Sequence, residues 1–592
     1  MTTEENETGR TIDILSTNLA KIEELSQRLI AALANKTPSD HGLQGPGQDL
    51  FIKAASAYMN DMMANPAKII EQQVSYWGKT LSQYIEAQNA SLSDEVAEKT
   101  DSAPDKRFEN PLWASNPYFS FIKQQYLTNK EAVETTIANL DELEEGDKKR
   151  AEFFSHQIMD MFSPTNFLAT NPDALALAVE TEGQSLVDGL ENLVHDVESN
   201  NGEFVVTLAN KNAFKVGENL ATTKGSVVFR NRMFELIQYA PTTETVHKTP
   251  LIIFPPWINR FYIMDLKEKN SLIKWIVEQG YTLFVVSWIN PNASYADVGI
   301  DDYVTEGYLT AIDQVKQITG EKKVNAVGYC IGGTVLSLTL ALMKKQRDPS
   351  INSATFFTTL TDFEDQGEVG VFLDDDFLDG IEREVKEKGI LHTVFMSRTF
   401  SYLRSNDLIY APAVRSYMMG KAPPAFDLLF WNGDGTNLPA RMVIQYLLDL
   451  CRDNKFAKGE FEILGKKLLL KDVGVPLCAI ACETDHIAAW KSCYDGVAQM
   501  GSKDKTFIVS QSGHIAGIIN PPSKKKYGHF TNPDLGLTHD DWKDTADFNE
   551  GSWWPRWENW LSGKSGKQVP ARKAGDSKHP VLGPAPGSYV IS

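Results

Sequence analysis

The sequence predicts a mainly helical N-terminal domain followed by an α/β domain with a parallel sheet and an inserted cap. Two patterns predict the α/β part: continuous apolar strand segments alternate with helices, and a long segment, residues 360–474, separates one strand from the next. Apolar runs without polar alternation are typical of parallel strands that helices cover on both faces. Before residue 199 helical patterns dominate with few strand signals, so we divide the chain into 1–205 and 206–592.

The N-terminal region contains one clear amphipathic helix at residues 11–34. Its apolar side chains recur at spacings of three and four between polar positions. They are Ile12, Leu15, Leu19, Ile22, Leu25, Leu29 and Leu33. This face either packs within its own domain, associates with a second copy or lies on an apolar particle, and the sequence leaves the three open.

Six segments of the second region are predicted to be buried strands. They are Leu251–Phe254, Thr282–Ser287, Lys323–Val327, Ala354–Thr359, Val475–Ala481 and Thr506–Val509. The connection between the fourth and the fifth is far longer than a normal strand-to-helix connection, so we expect a cap at about residues 361–451. Its Phe, Leu, Tyr and Met content suggests that it covers an apolar cavity. After about residue 561, Gly, Pro, Lys and Ser predict an extended tail.

Charge and targeting signals exclude several function classes. The chain has 58 basic and 78 acidic residues and a net charge of −20, which repels the phosphate backbone of nucleic acids. Its acidic start, MTTEENETGR, lacks the features of a secretory signal, so we expect a cytoplasmic protein. The apolar run Val324–Met343 raises the question of a membrane span. Three glycines interrupt this run, so a buried strand, a tight turn and a buried helix explain it better.

The cysteines point to a nucleophile rather than to disulfides or zinc. Cys330, Cys451, Cys478, Cys482 and Cys493 include no CxxC pair. Around the first of them the chain reads Gly-Tyr-Cys-Ile-Gly-Gly, residues 328–333, after a predicted strand and before a predicted helix. This is the nucleophile elbow of the α/β-hydrolase fold with Cys in place of Ser. The alternative is an inert buried thiol in a glycine-rich turn.

A thiol nucleophile needs a base and an acid, which in this fold follow in the order nucleophile, acid, histidine. Asp485 and His514 obey that order, and each follows a predicted strand, at the sheet edge where parallel sheets bind ligands. The imidazole can take the thiol proton and the carboxylate can orient the ring. His486 is the competing base, although its neighbour Asp485 cannot easily orient it. A metal site made of these three residues is the weaker alternative, because short-spaced His and Cys ligands are absent.

An acyl-transfer site also needs two backbone donors for the oxyanion. The amide of Ile331, directly after the nucleophile, is the first candidate. The loop PPWINR after the strand LIIF should supply the second at Trp257 or Ile258, of which we take Ile258.

These residues resemble the polyhydroxyalkanoate synthases, most closely the class I enzymes, which act without a second type of subunit. The resemblance begins at about residue 105 and rests on eight motifs. They are SPTNFLATNP (163–172), IQYAPTTETVHKTPLIIFPPWINRFYIMDL (237–266), SWINP (287–291), GYCIGGT (328–334), AFDLLFWNGDGTNLP (425–439), DHIAAW (485–490), SGHIAGIINPP (512–522) and GSWWP (551–555).

The resemblance implies polymerisation of (R)-3-hydroxyacyl-CoA thioesters into polyester with release of CoA, through an acyl group on Cys330. It implies that His514 is the base for the thiol and that Asp485 helps to activate the 3-hydroxyl, directly or through the histidine. It further implies a homodimer on the surface of polymer granules, with granule coat proteins as possible partners, and no metal or organic cofactor. A cysteine hydrolase of the same fold and a non-catalytic granule protein are the alternatives.

Overall fold

The computed structural model describes residues 3–34, 76, 79, 105–140 and 143–592. The chain forms two compact units. The first comprises residues 1–210 together with Thr399–Pro424, and the second comprises Lys211–Arg398 together with Ala425–Ser592. Part of the segment predicted to be the cap therefore belongs to the first unit.

The helices carry labels in chain order. They are α1 Thr3–Ala34, α2 Leu112–Ser115, α3 Pro117–Ala138, α4 Glu145–Met161, α5 Pro172–Glu180, α6 Gln184–Ser199, α7 Leu272–Glu278, α8 Ile300–Asp302, α9 Thr310–Thr319, α10 Ile331–Gln346, α11 Asp375–Lys388, α12 Thr393–Leu403, α13 Ala411–Ala413, α14 Asp427–Asn432, α15 Ala440–Ile444, α16 Lys455–Lys458, α17 Trp490–Gln499, α18 His539–Asp544 and α19 Trp554–Ser562. Turns of π-helix occupy Tyr303–Leu309, Asn406–Tyr410, Val414–Met418 and Gln445–Arg452. No helix in the described part of the chain is both long and apolar enough to cross a membrane.

The strands are numbered in the same way. They are β1 Gly225–Arg230, β2 Phe234–Tyr239, β3 Thr245–His247, β4 Leu251–Phe254, β5 Leu283–Trp288, β6 Val324–Tyr329, β7 Ile351–Phe357, β8 Ile390–Leu391, β9 Leu438–Pro439, β10 Glu462–Ile463, β11 Lys466–Lys467, β12 Leu477–Cys482, β13 Lys505–Ser510, β14 His529–Thr531, β15 Asp547–Asn549, β16 Gln568–Pro570 and β17 Gly583–Pro584.

In the described part of the chain, an 11-stranded sheet runs through the second unit in the order β15-β14-β13-β12-β7-β6-β4-β5-β2-β1-β17. Its central strands, from β13 to β5, pair in parallel. These six are the strands predicted from the apolar segments, and they are buried because helices cover both faces. The outer strands β14, β15, β2, β1 and β17 pair antiparallel.

The predicted strand, turn and helix within Val324–Met343 are confirmed. β6 and most of α10 are buried, as the apolar run requires. Strand β6 lies between β4 and β7, which places its carboxyl end at the centre of the sheet edge. This is where parallel sheets bind ligands.

Within the helical unit, α1 includes residues 11–34, the segment predicted to be an amphipathic helix. Leu25 is fully buried and packs with Val187 and Val194 of α6. Arg28 forms a two-point ion pair with Glu198, with N–O distances of 3.0 and 2.8 Å. The apolar face of α1 is thus used, at least around Leu25, for packing within its own unit.

The C-terminal part of the chain is extended and follows the sheet. Strand β16 pairs with β3, and β17 pairs with the edge strand β1. Before them, Trp553, Trp554 and Trp557 are at most 1% exposed and belong to the main core. The tail predicted after about residue 561 therefore closes one edge of the sheet.

Candidate active site

Cys330 occupies the turn between β6 and α10. Its backbone has φ 54° and ψ −126°, a combination that a residue with a Cβ adopts only when its surroundings impose it. Its N–H donates to the carbonyl oxygen of Phe357 at 2.8 Å, and its carbonyl oxygen accepts from the N–H of Gly333 at 2.8 Å. The main chain is therefore held on both sides of the thiol, as in a nucleophile elbow.

The glycines of the elbow allow backbones to touch. A Cβ on Gly328 would lie 2.8 Å from the nitrogen of Gly333, and one on Gly332 would lie 2.9 Å from the carbonyl oxygen of Pro255. Real Cβ atoms essentially never approach other atoms below 3.0 Å. The elbow thus lies directly against the loop that follows β4, and no side chain could separate the two.

Asp485 follows β12 and His514 follows β13, so the sheet brings both to the same edge. Nδ1 of His514 lies 2.7 Å from Oδ2 of Asp485. Oδ1 of Asp485 accepts from the N–H groups of Ile487 at 2.8 Å and Ala488 at 2.9 Å. The side chains of His514 and Asp485 are 7% and 0% exposed. Because both carboxylate oxygens are engaged, the carboxylate fixes the imidazole ring and leaves its second nitrogen for the nucleophile.

The charge state of His514 follows from its two neighbours. Burial by itself would lower the pKa of His514, but its electrostatic interactions and hydrogen bonds with the side chains of Asp485 and Cys330 raise it to about 10. The ring thus lies between the carboxylate and the thiol and is hydrogen-bonded to both. An imidazole in this position can exchange a proton with the thiol of a cysteine nucleophile.

Cys330 differs from the other cysteines in its exposure. It is half-buried, whereas the other four thiols are buried. Burial raises the pKa of each of those four above its ordinary value: Cys451, Cys478, Cys482 and Cys493. These thiols therefore stay protonated at neutral pH and are poor nucleophiles.

The structure places His514 on the carboxylate of Asp485. His486 is half-buried and adjacent in sequence to Asp485. Among the residues that the structure describes, no group of three or more His, Cys, Asp and Glu side chains could hold a metal ion.

The two segments expected to supply oxyanion donors are in contact. Ile331 is the first residue of α10, where N–H groups have no partner within the helix. Gly332 touches Pro255, at the start of the loop that carries Ile258. The carbonyl oxygen of Ile258 accepts from the N–H of Thr436 at 2.9 Å. The donor roles of Ile331 and Ile258 remain predictions.

Two tyrosines near the elbow were not found from the sequence. The hydroxyl of Tyr308 donates to the carbonyl oxygen of Gly332 at 2.6 Å. Burial, followed by the charges of Cys451 and Cys330, raises the pKa of Tyr446 well above its usual range. Both tyrosines lie in π-helical segments, which have no recognisable sequence pattern. Their only signal was the aromatic content of the segments around them.

Comparisons with known proteins cover both regions of the chain. A family model described as the poly-beta-hydroxybutyrate polymerase (PhaC) N-terminus matches residues 104–276. A second model, described as the alpha/beta hydrolase fold, matches residues 250–521. The second match includes the elbow, Asp485 and His514, and it confirms the predicted fold.

Three relatives match over most of their length. A poly(3-hydroxyalkanoate) polymerase of Methylorubrum extorquens is 39% identical over 96% of this chain and 95% of its own. The polymerase subunit PhaC of Rhizobium meliloti is 37% identical over 97% and 94%. The corresponding subunit of Cupriavidus necator is 38% identical over 84% and 85%. Identity at this level over nearly complete chains confirms the resemblance found in the motifs.

Proposed function

Because this chain belongs to the poly(3-hydroxyalkanoate) polymerase family, we propose that it polymerises (R)-3-hydroxyacyl groups from coenzyme A thioesters, with Cys330 as the covalent acyl carrier. The observation that supports the mechanism most directly is the hydrogen-bonded series of Asp485, His514 and Cys330 behind the elbow. Such a series activates a nucleophile for acyl transfer.

In the first half-reaction the Cys330 thiolate attacks the thioester carbonyl carbon, and the carbonyl oxygen becomes an oxyanion. The N–H groups of Ile331 and Ile258 stabilise that charge. The carbon–sulfur bond to coenzyme A then breaks, and the leaving thiolate takes the proton from the His514 imidazolium. Because one thioester replaces another, the step is close to balanced in free energy.

In the second half-reaction a hydroxyl group attacks the acyl group on Cys330, and His514 accepts the hydroxyl proton. The new ester bond forms as the bond to the Cys330 sulfur breaks. Asp485 acts through the histidine in this scheme, because its oxygens are already bonded to the ring and to two backbone N–H groups. The scheme uses no metal or organic cofactor.

We further propose that the protein works as a homodimer on the surface of polymer granules in the cytoplasm, in contact with granule coat proteins. The family membership supports this proposal. Centrifugation of polymer granules tests whether the protein is bound to them. Sedimentation of the purified protein tests whether it is a homodimer.

The activity is tested with 3-hydroxybutyryl-CoA. We expect release of CoA together with insoluble polyester, and loss of both in Cys330→Ala. Cys330→Ser should reduce polymerisation by orders of magnitude, because an alcohol ionises far less readily than a thiol at neutral pH. Cys478→Ala, at a buried thiol within β12, is the matched control and should retain activity. CoA release with only free 3-hydroxy acid would indicate a hydrolase, and no CoA release would indicate a non-catalytic protein.

The identity of the base is tested by two histidine variants. His514→Gln should abolish acylation of Cys330, because the ring bonded to Asp485 is lost. His486→Gln keeps that ring and should retain most of the acylation rate. Mass spectrometry of the acylated protein after rapid quenching measures both, and the reverse pattern would exchange the roles of the two histidines.

A further inference from the structure

Arg260 lies two residues after the predicted oxyanion donor Ile258 and is 6% exposed. Its Nη1 donates to the carbonyl oxygen of Tyr589 at 2.9 Å, and its Nη2 donates to that of Ser592 at 2.6 Å. A buried guanidinium is costly unless its N–H groups are bonded. The side chain thus ties the loop after β4 to the C-terminal segment of residues 587–592.

That C-terminal segment is itself held firmly by the sheet. Glu235 of β2 is fully buried and accepts from the N–H of Ser588 at 2.8 Å and from the N–H of Tyr589 at 2.9 Å. The Tyr589 hydroxyl donates to the carbonyl oxygen of Asn231 at 2.7 Å. Val590 is buried in the main core. The Tyr589 carbonyl oxygen, one of the two acceptors of Arg260, is therefore held in place by the sheet.

On its other side the loop is held by residues 431–436. Nε1 of Trp431 donates to the carbonyl oxygen of Arg260 at 2.7 Å. Asp434 lies 3.5 Å from Nε of Arg260 and accepts from the hydroxyl of Tyr262 at 2.7 Å. The N–H of Thr436 reaches the carbonyl oxygen of Ile258 at 2.9 Å. The loop carrying Ile258 is thus clamped between two segments, and Arg260 contacts both.

A small cavity lies beside this loop. A cavity of about 10 Å³, close to the space that one water molecule needs, is lined by Trp257, Arg260, Ser287 and Val590, among others. Trp257 Nε1 and Ser287 Oγ are buried there without a hydrogen-bond partner among the described residues. The cavity interrupts the packing beside Arg260, so the hydrogen bonds of Arg260 contribute to holding the loop at this place.

We propose that Arg260 is a positioning residue, which holds the loop after β4 so that the N–H of Ile258 is aligned with that of Ile331 on the oxyanion. The inference rests on the proposed function for its reaction. The C-terminal segment then affects acylation indirectly, because it holds Arg260, which in turn holds the loop that carries Ile258.

The test compares two reactions of the same thiol. Acylation by 3-hydroxybutyryl-CoA forms an oxyanion, whereas alkylation by iodoacetamide does not. Arg260→Lys should lower the kcat of CoA release about 10- to 100-fold with KM nearly unchanged, since a misplaced donor weakens only transition-state binding. Alkylation of Cys330 should stay within about twofold of the wild-type rate, because displacement at a saturated carbon uses no oxyanion donor.

A second variant keeps Arg260 and removes one of the carbonyl oxygens to which it donates. A chain ending at Val590 loses the exposed Ile591 and Ser592, and with them one acceptor of Arg260, but keeps the buried Val590. This shortened chain should also have a lower kcat of CoA release and an unchanged rate of alkylation, but its kcat should fall less than that of Arg260→Lys. Combining the two changes should lower kcat little further than Arg260→Lys alone. Arg232→Lys, at an exposed ion pair with Glu306, is the matched control and should behave as wild type.

Unchanged kcat in both variants, or a parallel loss of alkylation, would overturn the positioning role. If one variant does not fold, the other decides. Failure of the proposed function is seen separately, as the absence of polyester with the wild-type protein. A wild type that releases free acid still acylates Cys330, so the comparison with Arg260→Lys would remain decisive.

Discussion

The charge on His514 depends on two side chains. Asp485 and Cys330 together raise its pKa to about 10 against the effect of burial. We expect Cys330→Ala to lower this pKa, because the interaction of the ring with Cys330 is lost, and Asp485→Asn to lower it further, because Asp485 contributes the larger attraction. In each variant His514 would lose its proton at a lower pH than in the wild type.

Carbon-13 NMR of labelled histidine as a function of pH measures this titration. His529 serves as an internal control, because burial lowers its pKa and neither substituted residue contributes to that shift. Its pKa should be the same in all three proteins. A His514 titration that is unchanged in Cys330→Ala would contradict a direct interaction between the His514 ring and Cys330.

At the scale of the element, strand β6, the turn and helix α10 form one unit whose geometry depends on Gly332. A Cβ there would lie within 3.0 Å of the carbonyl oxygens of Phe254 and Pro255, which belong to β4 and its loop. Backbone atoms cannot move aside as a flexible side chain can. We expect Gly332→Ala to lower the free energy of unfolding by about 2 kcal/mol, within the range for overpacking, and to slow acylation of Cys330.

Urea unfolding monitored by tryptophan fluorescence measures the change. Gly370→Ala is the matched control, since its Cβ would meet the Cβ of Gln366 at 3.5 Å, an ordinary contact. That control should stay within about 0.5 kcal/mol of wild type. Equal stability of the two alanine variants would show that the loop after β4 can move away from the elbow.

The elements around the elbow were also those that the sequence predicted best. Six buried parallel strands and the order Cys330, Asp485, His514 follow from apolar runs and from the turn chemistry of one glycine-rich motif. The strand at Leu251–Phe254 was predicted at both ends, and the ends of the other five were displaced by up to three residues: the strand predicted at Val475–Ala481 occupies Leu477–Cys482. Predicted and observed strand ends differ because pairing with neighbouring strands, rather than local residue preference, decides which residues form the hydrogen bonds of the sheet.

Features that depend on contacts between distant segments were not predicted. The pairing of β16 with β3 and of β17 with β1 joins residues that are more than 300 positions apart, and the Gly- and Pro-rich composition of the tail gives no sign of either. The bonds of Arg260 to Tyr589 and Ser592 are of the same kind. A guanidinium side chain in a loop is usually a solvated surface group, so only the fold reveals its partners.

At the scale of the whole molecule, the cap is not a simple insertion into the sheet domain. Residues Thr399–Pro424 belong to the helical unit. Within that unit the Tyr417 hydroxyl donates to Asp196 at 2.8 Å, and Asn192 donates to the carbonyl oxygen of Ser416 at 3.1 Å. Residues 399–424 thus contact α6, and the helical unit stabilises this part of the segment predicted to be the cap.

This dependence predicts that a single change in α6 loosens the segment. A Cβ on Gly189 would lie 2.6 Å from the carbonyl carbon of Tyr417 and still closer to its oxygen. Gly189→Ala should therefore weaken the contact, even though alanine favours a helix more than glycine does. Arg404, Arg415 and Lys421 are exposed, and local opening of residues 399–424 would free the backbone beside them to enter the active site of trypsin.

Limited proteolysis of the full chain, followed by mass spectrometry, tests the prediction. Cleavage within residues 399–424 should be about tenfold faster in Gly189→Ala than in wild type, as a loss of about 1.4 kcal/mol implies. Gly146→Ala is the control in the same unit, because nothing lies within 4 Å of the position of its Cβ. If Gly189→Ala is cleaved no faster than this control, the stability of residues 399–424 does not depend on their contact with α6.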